Sequence, residues 1–114
     1  MRSGADLAPG KFSQDDSMND LRHNGKPIII KYLAFPEELH GHMRGAVSAD
    51  KDKYYILIDT YPPEEEQRQT LGHELAHIFL DHTDRKMKVA AAEAEAHLWA
   101  DEYRRRYEAG ELGD

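Results

Sequence analysis

The stretch TLGHELAHIFLDH, residues 70–82, decides how the rest of the chain is read. On an α-helix each residue turns by about 100°, so His73 and His77 lie about 40° apart on one face, with Glu74 about 100° from His73 on the flank. Leu71, Leu75, Ile78 and Phe79 fall on the opposite face and form an apolar stripe. The helix can therefore bury one side without using its histidines. Two imidazoles aimed at one point, with a carboxylate beside them, are the donors of a catalytic zinc site. The nitrogens bind the ion, and the glutamate accepts a proton from the water that the ion activates. His73 and His77 are thus candidate ligands and Glu74 a candidate general base.

A chain holding seven histidines produces such a pentapeptide by chance often enough that the third ligand has to come from elsewhere. There is no cysteine, so thiolate sites and disulfides are excluded and His, Asp and Glu remain as strong donors. Downstream, residues 87–107 read as a second helix, with AAAEAEA supplying propensity and Gly110 marking the end. Glu93 and Glu95 lie about 200° apart on it, so at most one faces the first helix. Taking Glu95 as the origin, Ala91, Ala92, Leu98, Trp99 and Tyr103 fall within about 80°, which makes it a lone carboxylate in an apolar stripe. Glu93 groups with His97, Asp101, Arg104 and Glu108, an ordinary solvated face. A buried carboxylate is costly unless paired or bound to metal, so Glu95 is the expected third ligand.

His82 is expected to cap the first helix, where a cation is favoured, and not to bind metal. A metzincin pattern needs Gly and a third His after HExxH, but Leu80 and Thr83 stand at those places. Asp81 is read as solvated, and His23, His40 and His42, which lack a partner at ligand spacing, as surface histidines. Tyr54, Tyr55, Tyr61 and Tyr103 are read as core or rim aromatics; one of them, or a nearby His, could stabilise an oxyanion.

Upstream, Pro63 and Glu64 to Glu66 open the first helix, which is expected to end near residues 82–84. Residues 53–59, KYYILID, and the run IIIKYLAF after the turn Asn24-Gly25-Lys26-Pro27 read as strands, with a short edge strand at Gly45 to Ser48. Residues 1–24 are poor in apolar anchors and are expected to form a flexible tail, with one short helical turn near SMNDLRH. Residues 25–110 are then one domain, which suits a chain of 114 residues. The fold class is α+β, a small antiparallel or mixed sheet packed on two consecutive helices. No apolar run reaches the roughly 20 residues that a bilayer needs, and the start lacks a secretory pattern, so a cytoplasmic protein is expected. A net charge of −7 argues against direct binding to nucleic acid.

HELAHIFLDH followed by EAHLWADEY resembles the ImmA/IrrE type of zincin metallopeptidase, over roughly residues 28 to 107. In that group one helix carries HExxH and the next carries a Glu-Ala-Asn/Asp-x-Phe-Ala segment. Here Glu95-Ala96-His97-Leu98-Trp99-Ala100 corresponds, with His97 and Trp99 at the variant positions. The resemblance implies a minimal zincin-like core, Zn2+ held by His73, His77 and Glu95, and Glu74 as general base. It also implies an endopeptidase acting on a protein substrate such as a repressor or transcription factor, in the setting of phage, mobile elements or stress responses. The alternative is a zinc-binding regulatory or docking module with the same fold and little proteolysis.

Overall fold

The computed structural model describes residues 21–83 and 87–112. Four strands come first: β1 (Arg22–His23), β2 (Lys26–Leu33), β3 (Gly45–Ala49) and β4 (Tyr54–Asp59). Two helices follow, α1 (Glu64–Phe79) and α2 (Val89–Glu108). Residues 21–24, included in the expected tail, are built into the sheet. Leu21 is buried in the core, and Asn24 and Gly25 take φ of 56° and 75° to close the tight turn between β1 and β2. The remainder of the expected tail, with most of its helical turn, lies outside the described residues.

The sheet runs in the order β1-β2-β4-β3 and is mixed. β2 and β4 pair in parallel, Ile28 opposite Tyr54 and Leu33 opposite Asp59, while β1 and β3 add antiparallel at the two edges. Strand alternation sends Ile28, Ile30, Tyr54, Ile56 and Ile58 to one face, where they meet Leu71, Leu75 and Ile78 of α1 in a single core. The apolar stripe read from the sequence of α1 is therefore the one that is buried. Of these side chains, Tyr54, Ile56, Ile58, Leu75 and Ile78 are fully shielded from solvent.

The bend between β4 and α1 is fixed by Asp59, whose buried carboxylate accepts from the backbone N–H of Phe35 (3.0 Å) and of Tyr61 (3.1 Å). Burial alone would raise its pKa, but these backbone donors and the nearby His40 outweigh that and hold it below the usual carboxylate range. Gln67 reaches back to the carbonyl oxygens of Thr60 and Pro62 and secures the first turn of α1.

α1 ends at Phe79, earlier than expected, in a Schellman turn. Asp81 sits in the left-handed region (φ 64°). The N–H of Asp81 donates to Ile78 O (2.9 Å) and that of His82 to His77 O (2.8 Å). The turn sends His82 back over His77. Against this turn, Asp81 accepts a hydrogen bond from His23 at 2.7 Å, so neither residue is a plain solvated group.

α2 crosses α1 at very close range. A Cβ built on Gly72 would lie 2.4 Å from the carbonyl oxygen of Ala100. The inward face of α2 is centred on Ala96, which is fully buried, while Leu98 and Trp99 are 75% and 41% exposed. Arg68 of α1 clamps Glu108 of α2 through two hydrogen bonds of 2.7 and 2.9 Å. Among the described residues no helix is long and apolar enough to cross a membrane.

Candidate metal centre

The sequence spacing on α1 determines that His73 and His77 rise from one face, and the structure sets their ring centroids 4.8 Å apart. α2 then brings Glu93 between them. One of its oxygens lies 2.9 Å from His73 Nε2 and the other 3.0 Å from His77 Nε2. Ligand atoms of His73, His77 and Glu93 all fall within 4.8 Å of one another, the one such group of three among the described residues. Zinc bonds of about 2.0–2.1 Å in a tetrahedral arrangement separate ligand atoms by roughly 3.3 Å, so a small settling of these side chains accommodates the ion. Two imidazoles and a carboxylate also leave one position open, the donor set of a catalytic site rather than a closed structural one.

The third acid differs from the one read from the helical wheel. Glu95 does not join His73 and His77; its Oε1 lies 2.6 Å from Nε2 of His82. The difference comes from the choice of inward face. Large apolar side chains suggested that Leu98 and Trp99 mark it, whereas Gly72 faces the backbone of Ala100 and the Cβ of Arg104, and Ala96 is the buried residue of α2. With Ala96 as origin, Glu93 lies about 60° to one side and Glu95 about 100° to the other. Glu93 therefore overhangs the histidines of α1, and Glu95 overhangs the turn that follows. The signal for this was present in the sequence as Gly72 on the first helix and small residues at Ala92, Ala96 and Ala100, four apart, on the second.

His82 is the other residue whose part was not foreseen. Its backbone closes the end of α1, but its side chain, 3% exposed, turns inward and places Nδ1 2.8 Å from Nδ1 of His77. His40 stacks on Tyr61, with ring centroids 4.0 Å apart, and lies 3.8 Å from Asp59, away from the cluster.

Glu74 is 7% exposed and faces the start of β3. A Cβ on Gly45 would lie 3.1 Å from its Oε2 and 2.5 Å from Thr70 Cγ2, so only glycine lets the edge strand approach so near. Burial, and secondarily the charge of Glu93, raise the pKa of Glu74 to about 7. Burial likewise lowers that of His77, reinforced by the charges of His73 and His82 and only partly opposed by Glu93. For Glu93, burial pulls upward, but its hydrogen bond to His73 and the two imidazole charges prevail and hold it low. The cluster thus favours an ionised Glu93 and a neutral His77, the protonation states that metal ligands require.

These groups line a cleft of about 1110 Å³ bounded by Arg44 and Gly45 on the sheet side and by His97 and Arg104 on α2. The open edge of β3 borders it. Neither a curated protein nor a solved structure matches the chain. Residues 29–112, which hold β4, both helices and every residue of the cluster, match the Peptidase_M78 family, the IrrE N-terminal-like domain, and the chain belongs to that family.

Proposed function

We propose that the protein is a zinc-dependent endopeptidase of ImmA/IrrE type, with His73, His77 and Glu93 as ligands and Glu74 as general base. The observation that carries this reading is the meeting of two imidazoles and Glu93 within 4.8 Å, beside a buried carboxylate and an open strand edge. A zinc ion in this donor set supplies Lewis acidity, polarising a peptide carbonyl and acidifying water. Glu74, whose raised proton affinity suits transfer near neutral pH, accepts the proton of the attacking water and returns it to the departing amine. A peptide extended along β3 places its carbonyl above Glu74, and pairing with the strand edge holds it by main-chain hydrogen bonds. Family membership supports a protein substrate; a repressor or transcription factor, cut in the cytoplasm, is the class we infer from the resemblance.

The test is zinc stoichiometry by atomic absorption together with a proteomic cleavage screen of wild type and Glu74→Gln. The expected result is one zinc per chain in both, with cleavage products in wild type only. Bound zinc without any difference in cleavage would favour the docking module instead.

A further inference from the structure

We propose that His82 and Glu95 are positioning residues that fix the tautomer and orientation of His77, so that its Nε2 presents a lone pair to the ligand cluster. The inference rests on the metal-centre reading above and extends it to two residues outside the ligand set. Glu95 Oε1 lies 2.6 Å from Nε2 of His82, and a carboxylate can only accept, so His82 carries its proton there. A neutral imidazole has one N–H. Nδ1 of His82 is then an acceptor, and the group 2.8 Å away, Nδ1 of His77, is the donor. Glu93 Oε2, 3.0 Å from Nε2 of His77, competes for the same proton. The bond to His82 holds the proton on Nδ1 where a metal ion would take Nε2, so that this nitrogen offers its lone pair to the ion.

The placement of His82 supports the same role. Its side chain is almost wholly buried, so its polar atoms must be satisfied within the protein, and both ring nitrogens are. The Schellman turn ties the two histidines a second time, through the His82 N–H to His77 O bond, which fixes the relative height of the rings. α2 therefore gives the site two acids with separate work: Glu93 joins the ligands and Glu95, on the other side of Ala96, steadies the ring behind one of them. Outer partners that hold a ligating imidazole typically change metal affinity by about 10- to 100-fold.

The experiment is zinc affinity by chelator competition, with the tautomer of His82 read from two-bond ¹⁵N–¹H NMR of the zinc-loaded protein. His82→Phe keeps the ring volume and removes the acceptor; it is expected to weaken zinc binding about 10- to 100-fold. Wild-type His82 is expected to be protonated at Nε2 and bare at Nδ1, and Glu95→Leu to show mixed His82 tautomers. Glu95→Leu should weaken zinc as His82→Phe does, while Glu95→Gln, whose amide oxygen still accepts, should recover most of the loss. Should His82→Phe fail to fold, the Glu95 pair and the wild-type spectrum decide. Zinc affinity within about twofold of wild type in His82→Phe, or in Glu95→Leu, overturns the inference, as does a wild-type His82 protonated at Nδ1. A wild-type protein that takes up no zinc sinks the metal-centre reading instead, whatever the spectrum shows.

Discussion

Gly72 and Ala100 meet so closely that a single added methyl at Gly72 would sit 2.4 Å from a backbone carbonyl oxygen. Because the obstacle is backbone and not a flexible side chain, the helices themselves have to move. Gly72→Ala is expected to destabilise the fold by about 1–3 kcal/mol, despite alanine's better helix propensity, since overpacking outweighs that gain. Gly72 adjoins His73, so the same displacement draws Glu93 from the histidines and zinc affinity falls with stability. Denaturant unfolding and zinc titration of the one variant check both; an unfolding midpoint at or above wild type would contradict the close crossing.

Glu93 and Glu95 separate in a direct comparison. Removing a ligand outright, Glu93→Ala, is expected to reduce zinc affinity more than Glu95→Ala, which removes only a group behind His77. Chelator competition on the two variants settles the order, and the reverse order would return Glu95 to the ligand set.

In the metal-free protein the stability contributed by Glu74 depends on pH in a direction opposite to that of most acids. Its folded pKa of about 7 stands above the ordinary value of 4.5, so between the two the folded chain holds a proton that the unfolded chain has lost. The contribution is fully present below about pH 4.5 and disappears as pH rises through about 7. Its full size is on the order of 3 kcal/mol. Glu74→Gln cannot ionise, and is expected to become more stable relative to wild type as pH is raised from about 5 to 8. Urea unfolding of both chelated proteins across that range measures the difference, which also cancels the opposing trend from His77.

Gly45 is predicted to matter for turnover and not for metal. An added Cβ meets Thr70 and Glu74 at the head of the edge strand, while His73, His77 and Glu93 lie on the two helices. Gly45→Ala should therefore retain zinc and lower cleavage severalfold, because small displacements of a positioned base are costly to rate. Equal cleavage by variant and wild type would show that Thr70 yields without disturbing Glu74.

The sequence by itself determined what lies within one element or one turn. The strands around Ile28 to Ile30 and Tyr54 to Asp59, the edge at Gly45 and the two helices were legible because alternation and the helical period are local properties of the chain. His73, Glu74 and His77 share their geometry for the same reason: five consecutive residues on a helix have no other arrangement. What only tertiary structure decided was how elements face one another. Glu93 came to the histidines and Glu95 to His82 because α2 packs on α1 through its alanines, where Gly72 permits the nearest approach, leaving Leu98 and Trp99 at the surface. Apolar size is a poor guide to an interface whose spacing is set by backbone contact. The inward return of His82 likewise depended on Asp81 taking a left-handed φ, which aspartate visits only as a minor state on its own and which His23 and the Schellman bonds hold here.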